Sequence, residues 1–486
     1  MFEFELPEKF RRYVPLAVWL ILALVLLLIP LKIIGYGYLP GDDALRHCAK
    51  AVSGKTWPEI LVLGDNFKID HNLGWHNVLG AVHQRTGWNA EGLLIFSVVA
   101  LFLLVNFATL PWLKRPEAWL VALTAAMIVS DVPRRFLLGR PFTLTIAALM
   151  VILLVTHQNR PAPKYFVLFA GLITACTYTH GVWYLWLLPV MAFFFAGEFR
   201  WGTIVAAAWL TGALLAALLT GHPVDYLVTA LTTALHGVGQ HLTNRTEVTE
   251  LQPFSGDILA MFIVGALIGL RLITKSTATS FIRSPAFWLM CGCWMLGFRI
   301  SRFWEDWGWP ALMVLIALDV GLLLHIRVPA DSLKRLLLTI ILAMSAFFSV
   351  TSDLHARYTK SLNWQFLSVA EHPDLAGWMP EKNGILYSAD MNVFYQTFFK
   401  NPNGDWRYML GYESTLMPTV DFETFQKILW NSGDANAYEP WVKKMTPADR
   451  LVISGNRHER PDIPQLEWFY GPDNLWIGRT PRASAR

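Results

Sequence analysis

From Tyr13 to Ile34 the chain is apolar almost without a break, about the length of helix needed to cross the hydrocarbon core of a bilayer. Further apolar runs follow at roughly 92–113, 117–131, 141–156, 165–179, 182–197, 202–220, 257–273, 285–298, 308–325 and 336–350, making about eleven predicted spans. From residue 352 the pattern changes: apolar runs shorten, Asn, Asp, Gly and Pro rise, and no stretch could span a membrane. Within this last part, Gly384–Ser388, Leu451–Ser454 and Leu475–Ile477 read as short strands, with helical periodicity over 391–400 and 421–430 between them. The expected organisation is an α-helical polytopic membrane module over residues 1–351, with a first outer loop at 35–91, and a small C-terminal α/β or α+β domain over 352–486.

Composition agrees with the pattern. Hydrophobic residues make up 54% of the 486 and charged residues 16%, well to the apolar side of a soluble protein. A net charge of +4, with no Lys/Arg block interleaved with aromatics, excludes a nucleic-acid partner. The first apolar run is too long for a signal-peptide core and lacks a small-residue cleavage site, so it is expected to remain as an anchor. Of the four cysteines, three lie in apolar runs and Cys48 in the first loop, which predicts no disulfide framework.

Charge then sets the topology. The connections expected on the N-terminal side carry Arg11, Arg12, Lys114, Arg115, Arg160, Lys164, Arg271, Arg283, Lys334 and Arg335, which marks that side as cytoplasmic. The first loop and the C-terminal domain then face the periplasm of a bacterial inner membrane. Arg134, Arg135, Arg140, Arg299 and Arg302 break this rule by crowding outer loops. Either an anionic group on the outer face requires them, or they hold lipid phosphates or pair with Asp131, Glu305 and Asp306.

The densest chemistry lies in Pro40-Gly41-Asp42-Asp43-Ala44-Leu45-Arg46-His47. Pro-Gly ends the first span, and Asp42 or Asp43 can cap a new helix on which Asp43, Arg46 and His47 are spaced i, i+3, i+4. One face would carry an acid, a cation and an imidazole; the plainer reading is a capping Asp42, an Asp43–Arg46 pair and a surface His47. Farther along the loop come Gly54-Lys55-Thr56-Trp57-Pro58 and Asp70-His71-Asn72-Leu73-Gly74-Trp75-His76. His71, His76 and His83 lack the i, i+4 spacing of a helical zinc motif, and no metal site is predicted.

A span, an Asp-Asp-x-x-Arg-His helix, a Gly-x-x-Trp turn and a Gly-Trp-His re-entry together resemble the first loop of the GT-C superfamily of polyprenol-phosphate-sugar-dependent membrane glycosyltransferases, in its aminoarabinose-transferase and protein-O-mannosyltransferase branch. Thr177-Tyr178-Thr179-His180-Gly181 resembles that family's Thr-Lys-Gly span end, with His180 for the lysine. Arg299-Ile300-Ser301-Arg302-Phe303 followed by Trp309-Pro310-Ala311-Leu312 resembles its Arg-Tyr and Pro-x-Leu run. The chain departs from the family by having Asp-Asp for Asp-Glu, Arg46 one position late, and Gly139-Arg140-Pro141 where an outer-loop acid is common. That last departure leaves a divalent-metal requirement open.

The resemblance implies an inverting transfer of a sugar from a polyprenyl-phosphate donor to a lipid, glycan or protein acceptor on the outer face. Asp42 or Asp43 would be the catalytic base. Arg46, His47, His71, Trp75, His76, Arg140, His180, Arg299 and Arg302 would bind substrate, the arginines as phosphate clamps. Two rivals remain: a transporter or flippase for a lipid-linked precursor, which predicts ionisable residues within spans, and a non-catalytic partner that binds lipid-linked glycan.

Overall fold

The computed structural model describes residues 7–41, 43–65, 67–130, 132–239, 251–254, 256–273, 279–431 and 434–481. About 67% of the chain is helical. It forms two compact units, one from residues 1–37 and 97–358 and the other from 38–96 and 359–486.

The apolar runs fold as helices. Among the described residues five are long and apolar enough to cross a membrane: Val14–Ile34, Ala90–Trp112, Phe199–Leu219, Ser301–Arg327 and Leu333–Thr351. The remaining runs give shorter or less apolar helices, among them Phe142–Gln158 and Pro285–Gly297. In the first helix Val18, Leu22 and Leu26 are buried while Leu16, Leu20 and Leu24 are exposed. A helix apolar on both faces is suited to packing on one side and lipid on the other. It packs against Leu333–Thr351, as Pro163–His180 packs against Phe199–Leu219. At that second contact Gly212 lets the backbones approach, since a Cβ there would lie 2.9 Å from the Ala170 carbonyl oxygen.

Several cations that the sequence assigns to connecting loops are buried against acids. Arg335 holds Glu117 through two bonds of 2.7 and 2.9 Å, and Arg271 grips Asp319 with contacts of 2.7 to 3.1 Å.

The second unit is built on a five-stranded sheet: β1 (Ile385–Ser388), β2 (Arg407–Tyr408), β3 (Arg450–Ser454), β4 (Glu467–Tyr470) and β5 (Leu475–Arg479), in the order β2-β1-β3-β5-β4. β1 runs parallel to β2 and β3, while β5 is antiparallel to β3 and β4. The three strands expected from the sequence are β1, β3 and β5; the two-residue β2 is too short to leave a pattern, and β4 was also unforeseen. Helices Met391–Lys400 and Thr419–Trp430 fall where the periodicity places them. Asp390 caps the first, accepting from the Asn392 N–H at 2.9 Å. Tyr387, Phe425, Trp441 and Leu451 lie at the centre of the core.

The first loop belongs to this unit rather than to the helical one, so the division at residue 351 is not the one the fold makes. Leu61 bridges Tyr408 of β2 in parallel, and Val62 N–H donates to the Tyr408 carbonyl at 2.9 Å, extending the sheet edge. Gly64 N–H donates to the Leu416 carbonyl at 2.7 Å, and Lys400 reaches Glu91 at 2.7 Å and Glu371 at 2.8 Å. A residue at 64 must be glycine for this seam to close, because a Cβ would stand 2.7 Å from the Met417 carbonyl oxygen. Gly64→Ala should therefore cost roughly 1–3 kcal/mol of stability. Gly80→Ala, on a helix with open space at its Cβ, should be neutral or slightly stabilising. Thermal midpoints of the two variants in detergent check this; equal midpoints would mean that the seam is not closely packed.

Candidate active site

Asp43–Ser53 forms the predicted helix, packed between Met391–Lys400 and Leu73–Thr86. One turn apart on it, Arg46 Nε donates to Asp43 Oδ1 at 2.7 Å. The Tyr395 hydroxyl donates to the same oxygen at 3.1 Å. Above the guanidinium lies the Tyr412 ring, 4.0 Å away, with Trp57 at 5.8 Å. Arg46 is buried while the Asp43 side chain keeps 30% exposure. Burial opposes the charge on Arg46, but Asp43, Tyr395 and Tyr412 outweigh it and hold the guanidinium more firmly protonated than usual.

His47, the next residue, faces a second system. Its Nδ1 lies 2.8 Å from His76 Nε2, and His76 Nδ1 lies 2.6 Å from Asp70 Oδ2. Asp70 also accepts the Asn72 N–H at 2.9 Å, which turns the chain into the Leu73–Thr86 helix carrying His76. Burial would raise the Asp70 carboxyl, but His76, the Asn72 N–H and Arg46 hold it well below the usual carboxylate range. Burial, Arg46 and His76 keep His47 neutral well below the ordinary imidazole value. With Asp70 ionised, His76 Nδ1–H is the donor to it, and a single proton lies between His76 Nε2 and His47 Nδ1. This is a carboxylate–imidazole–imidazole chain along which a proton can shift. The edge of Trp57 closes over it, 5.8 Å from His76 and 4.9 Å from Tyr412. His71 is lowered by burial and by Arg46, with Asp70 opposing.

Of the residues singled out in the sequence, Asp43, Arg46, His47, His71, Trp75 and His76 fall in this unit; Asp42 and Asp131 lie outside the described residues. Trp75 is buried beside His76 in sequence, whereas His83 bonds the Trp88 carbonyl at 2.7 Å near its helix end. Arg140, His180, Arg299 and Arg302 belong to the helical unit. There the pairing alternative holds for two of the arginines: Arg135 contacts Glu305 at 2.6 Å and Asp306 at 2.7 Å, and Arg302 meets Asp306 at 3.0 Å. Asp306 sits in a π-helical turn, Trp304–Gly308, that turns it between the two cations. Arg135 lies over Phe142 at 5.2 Å, and Phe142 is 6.1 Å from the His180 ring. Arg299 is exposed.

Sequence reasoning did not assign roles to Asp70, Trp57, Tyr395, Tyr412 or Glu413. Asp70 had a local signal, a turn-forming Asp two residues before Asn72. The two tyrosines and Glu413 had none, since they reach the helix from more than three hundred residues away. All four cysteines are free thiols, and among the described residues no three His, Cys, Asp or Glu side chains are grouped to hold a metal ion. No known family model and no curated protein matches the chain.

Glu413 adds a titration with a defined sign. Burial, aided by Asp43 and opposed by Arg46, pushes its carboxyl up to about 7 from an ordinary value near 4.5. The folded chain thus holds this proton where the unfolded chain releases it, so its contribution to stability is full below about pH 4.5 and is lost as pH rises toward 7. His47 has the opposite slope, because its neutral folded form loses stability as pH falls below 6.5. Subtracting wild type from Glu413→Gln isolates the first effect. The variant's thermal midpoint should gain on wild type as pH rises from about 5 to 7, by the equivalent of up to about 3 kcal/mol. A difference independent of pH would show that Glu413 is not held protonated.

Proposed function

We propose that the chain is an integral membrane glycosyltransferase of GT-C type, moving a sugar from a polyprenyl-phosphate donor to a hydroxyl acceptor on the outer face of a bacterial inner membrane. In this reading all the apolar runs, about eleven, cross the bilayer. The N-terminus is then cytoplasmic, and the sheet unit with its first loop is periplasmic. The observation that carries it is the partly exposed Asp43 carboxylate, oriented by Arg46 and Tyr395 on the helix that follows the first span.

Asp43, or its neighbour Asp42, takes the proton of the acceptor hydroxyl as that oxygen attacks C1 of the sugar. The C1–O bond to phosphate breaks, its electron pair leaving with the polyprenyl phosphate, and attack from the opposite side inverts C1. Arg46 Nη1 is buried with no hydrogen-bond partner among the described residues, which suits a donor awaiting a substrate oxygen. The Asp70–His76–His47 chain supports the reading by bonding the helix that carries Asp43 to the helix Leu73–Thr86, which fixes the position of the carboxylate.

The rival reading, transport or binding of a lipid-linked precursor, draws support from the Arg271–Asp319 pair buried within the helical unit. Transfer of radiolabelled sugar from a panel of polyprenyl-phosphate donors, in membranes with matched expression, separates the two. Wild type should transfer label, and Asp43→Asn or Asp42→Asn should lose about 100-fold or more, while Asp70→Asn should lose roughly tenfold. Donor that is bound in an Arg46- or Arg302-dependent manner but consumed by no version would favour the rival.

A further inference from the structure

The helical unit contains a cavity of about 750 Å³ that the sugar-transfer reading does not use. It is lined where several helices begin or end. Ser284 and Pro285 open the helix Pro285–Gly297, Glu198 precedes Phe199–Leu219, and Pro161 lies just before Pro163–His180. Three helix N-termini therefore converge there with their positive dipole ends. The helices that end at the cavity bring His157, Arg271 and His325 in their last turns, which offsets their negative ends.

The charges sort into two groups. Deep in the wall, Arg271 and Asp319 neutralise each other, and Arg115 is buried beside Glu117 at 3.6 Å. At the exposed edge Lys114, Arg160 and Arg283 make no ion pair among the described residues, and Glu198 is the one acid lining the cavity besides Asp319. The rest of the lining mixes polar Thr156, Gln158, Asn159 and Ser284 with apolar side chains, of which Leu318 and Leu322 are accessible while Leu153, Phe193, Trp201 and Val314 are buried behind them. Such a site, cationic at its rim and mixed polar and apolar within, fits an amphiphilic anion better than a cation.

We infer that this cavity is a binding site for a phosphoryl group, held by Lys114, Arg160 and Arg283 with an apolar portion of the same molecule against Leu318 and Leu322. Arginine forks and convergent helix N-termini both match phosphate oxygens. The group can come from a lipid headgroup entering from the bilayer or from a soluble phosphate ester. The inference is independent of the chemistry proposed for Asp43.

The test uses the full chain in phosphatidylcholine nanodiscs with two probes: phosphatidic acid doped into the disc, read as lipid retained in native mass spectrometry, and pyrophosphate titrated calorimetrically. Binding of the first alone assigns a lipid headgroup, and binding of pyrophosphate a soluble phosphate; either supports the site. Arg160→Gln with Arg283→Gln should weaken the bound probe about tenfold or more per cation removed, and Arg160→Lys with Arg283→Lys should restore part of it. Glu198→Gln should tighten binding, an effect that misfolding cannot imitate. Failure of both probes to bind, or binding indifferent to all these variants, would overturn the site.

Discussion

A guanidinium at 4% exposure has to be neutralised where it lies, and that requirement at Arg46 organises the sheet-bearing unit. Its own helix supplies only Asp43, one turn earlier. The remaining partners, the Tyr412 face and the Tyr395 hydroxyl that steadies Asp43, come from the far end of the chain. Leaving such a charge without its partner costs about 3–5 kcal/mol, comparable to the whole stability of a small domain. The first loop and the C-terminal segment therefore complete one core, closed by the Leu61–Tyr408 bridge at the sheet edge and by Lys400 between Glu91 and Glu371.

Around that charge the environment separates neighbouring groups into different protonation states. Asp70 is kept ionised by two hydrogen bonds and two neighbours, whereas Glu413, buried with Asp43 nearby, holds its proton toward neutrality. His47 follows Arg46 in sequence and stays neutral because burial and that same cation oppose its charging. An ionic pair at the partly exposed end of the helix and a neutral His47 in its interior thus stand side by side. Separation of carboxyl behaviour within one cluster is the arrangement acid–base chemistry uses.

The helical unit solves a different problem. Leucines of Val14–Ile34 face outward, where hydrocarbon can take the place of water, and its ionised groups turn inward onto acids. Arg115, Arg271 and Arg335 read in the sequence as markers of sidedness, a rule that counts cations without asking what they touch. Each proves to be buried near a carboxylate, and Asp306 likewise takes up Arg135 and Arg302. The cations of the cavity rim, Lys114, Arg160 and Arg283, which make no ion pair among the described residues, stand out against that background of neutralised charge.

Local features were legible in the sequence because they depend on residues within a turn or two of each other. Apolar runs became helices, alternating stretches became β1, β3 and β5, and the i, i+3 spacing of Asp43 and Arg46 became a hydrogen bond. Long-range choices were not. The spacing of His71, His76 and His83 argued against a helical metal motif but could not reveal that His76 turns to Asp70 on one side and His47 on the other. Nor could any local pattern join Tyr395 to Asp43 across 352 residues, or move the first loop from the membrane module to the sheet. Those outcomes follow from which buried surfaces and charges can be satisfied together, and that is settled only when distant segments compete for the same partners.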